Sequence, residues 1–559
     1  MKTQLLFVWL LLSGALLGQS KPLLWQTSMA SMWPMFFYTS LDFLYSTTKP
    51  ALSKTKSTHF PLSIPGQAAA NFLEKDWVGQ LSLLGHTEFV RITEKDGKTS
   101  LSLPYAEAGQ AFSLTHFIAD AKRIQFSIKR GIAEWQFDGD WVSEQQLKGT
   151  LTANGVQGTF DLHQHLPIDS SAWQAYLGDY RLASGEVFKV WDRFNTFRIH
   201  SPLSQEVSRL YKIGENEFFT TAGEDIHFFN PVDGQFQTLE WRLADGQKQT
   251  ASREQTYSVE ELIITTTMGD TIGASLYLPN RPGKHPGSII VRGAGNYDRS
   301  INLTDAEVLA NHGIAALVYD NHGNGLSNGS LLEKTFVDKQ KLVVELFKWM
   351  QQHPQIEPLK IGLIGGSQGA RIAAMAASEL PTMAFLSLRA HPMETRKDQQ
   401  LYAIGAFMRQ QNVQETVIVK ALALWDRFFD LAAQQTIDAA FVQALSALRA
   451  QHPRLMLPAA NAENPPFFPL RDDIYNATKD YLSTIKCPVL SVHGTLDDRV
   501  PAQKSVFYLR EGLKTAGNDQ LTVLFYEGAG HSFQLPGFRI APGFFMNEVR
   551  WIRTVLGMN

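Results

Sequence analysis

One pentapeptide constrains this chain more than any other feature: Gly365-Gly366-Ser367-Gln368-Gly369, a G-x-S-x-G run. It follows the apolar segment Lys360–Ile364 and leads into Ala370-Arg371-Ile372-Ala373-Ala374-Met375-Ala376-Ala377, a stretch of helix formers. A buried strand, a sharp turn and a helix are what a nucleophile elbow requires. At such a turn the serine is held in a strained backbone conformation, and Gly365 and Gly369 relieve crowding where helix passes close to strand. The helix N-terminus adds free N–H groups and a positive dipole end, suited to an oxyanion. The same five residues also occur in plain strand-to-helix turns, so their meaning depends on partners elsewhere.

A serine hydroxyl is a weak nucleophile until a base takes its proton, so the chemistry needs a histidine oriented by a carboxylate. Val492-His493-Gly494-Thr495-Leu496-Asp497-Asp498 follows the apolar run Pro488–Val492. Glu527-Gly528-Ala529-Gly530-His531 follows the strand-like Leu521–Tyr526. Both candidates stand just past the C-terminal ends of predicted strands, where open α/β sheets place catalytic groups. The chain order Ser367, Asp497, His531 differs from the orders of chymotrypsin and subtilisin.

With these residues in place, the region from about Leu262 onward resembles the α/β-hydrolase superfamily, especially bacterial secreted esterases and serine-aminopeptidase-like hydrolases. Arg292-Gly293-Ala294-Gly295-Asn296-Tyr297-Asp298-Arg299 is similar to the family's H-G-x-G-x-x-D-R stretch after the third strand. Tyr319-Asp320-Asn321-His322-Gly323-Asn324-Gly325-Leu326-Ser327-Asn328-Gly329 is similar to its Y-D-x-R-G-x-G-x-S-x-G stretch after the fourth. The segment His493 to Pro501 matches H-G-x-x-D-x-x-V-P, which favours Asp497 over Asp498 as the acid. The resemblance implies a catalytic triad of Ser367, Asp497 and His531, with an oxyanion hole built from the Ala294 and Gln368 N–H groups.

The chain departs from the family at Arg292, which stands where a histidine is usual. Two readings are open: a cation that favours substrates bearing a carboxylate, or a structural ion pair with Asp298 or Asp320, the commoner arrangement. His391 and His322 are further candidates for lining the pocket, each weighed against a hydrogen-bonded loop histidine. His493 reads as structural. Gly293-Ala294-Gly295 lacks the third glycine and the distant acid of a dinucleotide loop, and no H-E-x-x-H, C-x-x-C or P-loop occurs, so no cofactor and no metal is expected. Cys487 is the single cysteine, at the entrance to a predicted buried strand, and reads as a packed thiol.

The formal net charge is −3 with no basic tract, which argues against nucleic acid as a partner. Met1-Lys2, the apolar run Leu5–Leu17 and Gly18-Gln19-Ser20 read as a secretory signal peptide over 1–20, so the protein is expected to be periplasmic or extracellular. The segment 21–61 is dense in aromatics and methionine, fitting either packing against a later domain or contact with membrane. Residues 62–167 show short alternating strands, among them Phe89–Thr93 and Ser100–Leu103 about an Asp96-Gly97 turn, and resemble a lipocalin-like β-unit. Residues 168–255 form a second small β domain with turn signals at Ser184-Gly185, Asp233-Gly234 and Asp245-Gly246. It resembles the β-domain appended to some penicillin-binding-protein-like hydrolases and is read as a rigid cover over the catalytic face, with carbohydrate or peptide binding as the alternative.

The expected fold class is therefore α/β: a mostly parallel eight-stranded sheet over 256–559, preceded by two small antiparallel β domains. Helical spacing in Val413–Ala433 and Ile437–Ala450 fills an excess between Pro392 and Ser483 and predicts a helical cap over about 393–483. Trp425-Asp426-Arg427-Phe428-Phe429 and Pro465-Pro466-Phe467-Phe468-Pro469 are either pocket lining or cap core. The expected activity is hydrolysis of small carboxylic esters through an acyl-enzyme. A serine aminopeptidase or oligopeptidase acting on short peptides is the alternative; it would need an anchor for a free amine, such as Glu394 or Glu415. A non-catalytic binding protein on a hydrolase scaffold is a remote third reading, disfavoured by the intact set of triad residues.

Overall fold

The computed structural model describes residues 72–458 and 473–558 except 108, 194, 244, 245 and 435. The predicted signal peptide, the aromatic segment 21–61 and the Pro465–Pro469 loop lie outside the described residues.

The N-terminal part folds as two closed barrels of eight antiparallel strands each. In the first, which runs from Trp77–Leu83 to Val156–Gln164, closure pairs Trp77 with Gln164 and Leu83 with Gly158. The hairpin read around Asp96-Gly97 is a two-residue turn joining His86–Lys95 to Lys98–Ser102, with both turn residues at positive φ. Alternation along each strand sends aromatics inward, and Phe126 and Phe137 stack at 4.5 Å with Phe160 against them. The second barrel runs from Gly178–Leu182 to Lys248–Arg253 and is filled in the same way by Tyr176, Tyr180, Phe188, Phe197, Phe218, Phe228 and Trp241.

The C-terminal part is a sheet of β1 (Tyr257–Thr265), β2 (Thr271–Pro279), β3 (His285–Val291), β4 (Ala315–Tyr319), β5 (Ile356–Gly366), β6 (Leu386–Arg389), β7 (Val489–Gly494) and β8 (Leu521–Tyr526). The strand order is β1-β2-β4-β3-β5-β6-β7-β8, with β2 running against all the others. β3, β4 and the end of β5 are nearly continuous apolar runs because helices cover both faces. Helices α1 (Leu303–Asn311), α2 (Phe336–Gln352) and α3 (Gln368–Ala377) come in sequence between the strands. The insertion after β6 carries α4 (Arg396–Gln410), α5 (Glu415–Ala433) and α6 (Ala439–Gln451), and α7 (Ala502–Thr515) and α8 (Phe544–Val555) complete the fold. The apolar faces of α2, α3 and α7 pack on one side of the sheet, and those of α1 and α8 on the other.

Trp425, Phe428 and Phe429 are buried together in the cap with Ile418, Phe441 and Leu445, so this cluster is cap core. The second barrel packs on the flank made by α1 and α8, where its Trp191 and Val207 join their apolar cluster. Arg539 reaches across from the segment after β8 to pair with Glu206 of that barrel. The barrel thus braces the flank of the sheet and the segment that follows β8.

Candidate active site

Ser367 stands between the end of β5 and the start of α3, at φ 55° and ψ −120°, a conformation that strains any residue with a Cβ. Its N–H donates to the Arg389 carbonyl at 2.8 Å, which ties the turn to β6. The glycines on either side are required by contact: a Cβ on Gly365 would lie 2.4 Å from the Gly369 carbonyl oxygen, and one on Gly369 would lie 2.2 Å from that of Val291. The alanine-rich first turns of α3 let the helix sit this low on the sheet.

Asp497 and His531 meet beyond the ends of β7 and β8. His531 Nδ1 lies 2.9 Å from each carboxylate oxygen of Asp497, and the two side chains are 5% and 0% exposed. Asp497 Oδ1 also accepts from the N–H groups of Arg499 and Val500, both at 2.9 Å. Burial pushes the Asp497 carboxyl up, but the neighbouring His531, its hydrogen bond and the two N–H donors outweigh it and leave the group below the ordinary carboxylate range. Asp498 instead accepts from Gln410 Nε2 of the cap at 2.9 Å. Gly494 brings the acid loop against the histidine loop, since a Cβ there would sit 2.2 Å from the Ala529 carbonyl oxygen, and Leu496 N–H donates to that same oxygen at 2.9 Å.

Ala294 lies exposed on the loop after β3, across from the elbow. That loop is held by two residues that the sequence reading passed over in this role. Asn321 Nδ2 donates to the Gly295 carbonyl at 3.1 Å, and Arg299 pairs with the fully buried Asp320. A cleft of about 300 Å³ opens beside it, lined by Asn296–Asp298, Ser300, Ile301, Asn324 and Gly325. Tyr402 of α4 donates from its hydroxyl to the Asp497 carbonyl at 2.9 Å and so ties the cap to the acid loop.

The three remaining sequence candidates are corrected by their surroundings. Arg292 is buried and donates to Asn302 Oδ1 at 2.8 Å and to the Tyr297 carbonyl at 2.7 Å, bracing its own loop. Of the two acids it was expected to meet, Asp320 belongs to Arg299, while hydrogen bonds from Ser300, helped by the Arg292 charge, hold the Asp298 carboxyl below the ordinary range. His322 is buried with Nε2 3.1 Å from Asp270, which also pairs with Lys334. His391 is fully buried, with Nε2 2.7 Å from Ser491 Oγ and its ring 4.3 Å from that of His493. Burial pushes the His493 imidazole down to about 4, so it stays neutral beneath the Asp497–His531 pair. Burial likewise pushes the Cys487 thiol up to about 12.

The strand order and the strained serine at the elbow define the class of fold: the sheet and its helices have the α/β-hydrolase arrangement. Residues 268–531, a span that includes Ser367, Asp497 and His531, match the family model of X-Pro dipeptidyl-peptidase (S15 family). Among similar solved structures, an esterase of Pyrococcus furiosus is 16% identical with a TM-score of 0.35, covering 54% of this chain and 91% of that one. Acetyl xylan esterase 1 from Thermoanaerobacterium is 18% identical with a TM-score of 0.34, covering 54% and 85%. A Butyrivibrio proteoclasticus protein with bound ferulic acid is 17% identical with a TM-score of 0.34, covering 53% and 97%. No curated protein matches the sequence.

Proposed function

We propose that this α/β-hydrolase is a secreted or periplasmic serine carboxylesterase that cleaves small carboxylic esters through an acyl-enzyme on Ser367. The observation that carries the reading is the buried Asp497–His531 pair, with one imidazole edge fixed on a carboxylate that stays ionised. In this mechanism Ser367 Oγ attacks the ester carbonyl carbon while His531 Nε2 takes the hydroxyl proton. The carbonyl electron pair moves onto oxygen, where the Ala294 and Gln368 N–H groups receive it, a contribution of about 3 kcal/mol per donor. The C–O bond to the alcohol then breaks and the leaving oxygen takes the proton from His531. Water, deprotonated by the same imidazole, repeats the sequence on the acyl-enzyme and frees the acid. Export rests on the charged start, apolar run and small residues of 1–20.

A peptidase reading is favoured by the family match. The two acids considered as amine anchors are placed differently. Glu415 is on the cap surface, paired with Arg409, whereas Glu394 is buried and accepts from Ser505 Oγ at 2.9 Å and from the Met393 N–H at 3.2 Å. The deciding experiment compares short p-nitrophenyl esters with aminoacyl-p-nitroanilides, using the wild type and Ser367→Ala. Ester turnover that disappears in the variant is expected; dominant anilide turnover would move the protein to the peptidases. Absence of fluorophosphonate labelling at Ser367 would sink the catalytic reading.

A further inference from the structure

Beside the elbow, where the cap joins the sheet, three cations gather on one aromatic ring. Arg396 of α4, Arg371 of α3 and Lys339 of α2 stand 5.3, 5.4 and 6.0 Å from the centre of Phe336. Two carboxylates face them from other elements, and Asp338, which caps α2 with Thr335, stands beside Lys339 on its own helix. Asp473 accepts from the Phe336 N–H at 2.9 Å and pairs with Arg396 at 3.9 Å, while Glu394 is held by Ser505 and its own loop. Burial pushes both carboxyls up from the ordinary carboxylate range. Arg371 is 1% exposed; its Nη1 donates to the Asn476 carbonyl at 2.8 Å and its Nη2 has no hydrogen-bond partner. Lys339 Nζ reaches the Gln368 side-chain oxygen at 3.4 Å. Gln368 follows the nucleophile directly, and Arg371 N–H bonds back to the Ser367 carbonyl at 3.3 Å. Lys339 is thereby linked to the elbow through the side chain of Gln368, the residue next to the nucleophile.

A buried cation without a matching acid is costly to fold around, because desolvation is not offset by pairing. An incoming anion offsets it, and here the anion enters along the acyl chain. We propose that Lys339 and Arg371 form an acyl-side subsite for a carboxylate, so that the substrates of this site are half-esters of short dicarboxylic acids such as succinyl and glutaryl esters. This deepens the esterase reading and rests on it. It also weighs against a free α-ammonium on the acyl side, which the same three cations repel. The role that the sequence suggested for Arg292 passes to residues with no motif to mark them.

The test pairs two esters of equal chain length, mono-p-nitrophenyl glutarate and p-nitrophenyl valerate, in the wild type, Lys339→Met and Lys339→Arg. The expected result is a wild-type kcat/KM for the glutarate at least about tenfold above that for the valerate, as one charge-assisted contact provides. Lys339→Met should bring that ratio close to one, and Lys339→Arg should keep most of it. Free glutarate should inhibit valerate hydrolysis competitively and glutaramide should not, a measurement that needs no variant to fold. A wild-type ratio of one or less, or a ratio that survives in Lys339→Met, overturns the subsite while leaving the esterase standing. If neither ester is turned over, the esterase reading falls, and slowing of fluorophosphonate labelling of Ser367 by glutarate then decides the subsite alone. Protection keeps it and no protection removes it.

Discussion

Two cationic clusters in this molecule look alike in composition and differ in pairing. Where the second barrel meets the sheet, Lys189 lies 3.2 Å from Asp179, 3.4 Å from Glu307 and 3.3 Å from the Tyr257 hydroxyl. Glu307 also pairs with Arg193 at 2.9 Å, and Asp179 accepts from Asn311 Nδ2 at 3.0 Å and Thr256 Oγ1 at 3.1 Å. Two cations meet two acids, and the remaining lone pairs are hydrogen-bonded. Burial works to lower the Lys189 ammonium, but Glu307 and Asp179 outweigh it and hold the group above the ordinary lysine range. At the foot of the cap the opposite holds. Burial, with Arg396 nearby, pushes Lys339 down to about 8, and burial pushes Arg371 down to about 10 despite the attraction of Glu394. Ion-paired charge cements an interface, whereas Lys339 and Arg371, held in no ion pair among the described residues, are left to meet a ligand.

The sharpest way to break this comparison is Lys189→Met, which leaves Asp179 and Glu307 buried and facing each other. A loss of about 3–5 kcal/mol is expected, read as a lower denaturant midpoint; an unchanged midpoint would mean that the barrel interface does not depend on its charge balance. Glu307→Gln keeps the shape and removes one acid from two cations, with an expected loss of about 2 kcal/mol. Next comes pH. Lys339 is faced by Gln368 on α3, Arg396 on α4, Asp473 before β7 and Asp338 on its own helix. Its ammonium is charged below about 8 and neutral above, so the preference for a glutaryl ester should be full near pH 7 and shrink several-fold by about pH 9. The valerate ester serves as internal reference, and a preference that rises with pH would contradict this assignment. The smallest effect is on stability: Lys339→Met removes a surplus cation and should change unfolding free energy by no more than about 1 kcal/mol. A loss as large as that of Lys189→Met would place Lys339 in the structural group.

These contrasts also show what a linear reading reaches. The strands of the sheet are legible because each is a short apolar run bounded by turn residues, and the elbow because its strain and its close contacts demand serine and glycine at fixed neighbouring positions. Boundaries drift where pairing overrides local pattern. β5 begins at Ile356, four residues before the apolar run at Lys360, because that residue pairs with His285 across an irregularity in β3. The Trp425 cluster has the same helical spacing whether it faces a pocket or a cap core, and only packing against Phe441 and Leu445 decides. Arg371 is a single charge in a run of small residues, a faint signal that something polar lies against that face of α3.

The sequence by itself determined the elements close in chain: the elbow at Ser367, the loops carrying Asp497 and His531, the alternation that makes the β-rich domains, and the helical cap. Each of these depends on neighbours a few residues away, where steric and hydrogen-bonding rules act on the local chain. Only the tertiary structure decided that the β domains close into barrels, that the second braces α1 and α8, and that Arg292, His322 and His391 are spoken for. It also brought Lys339, Arg371 and Arg396 from three separate helices onto one ring. The reason is physical: burial and charge balance depend on everything within a few ångströms, and at these sites most of those neighbours are distant in the chain.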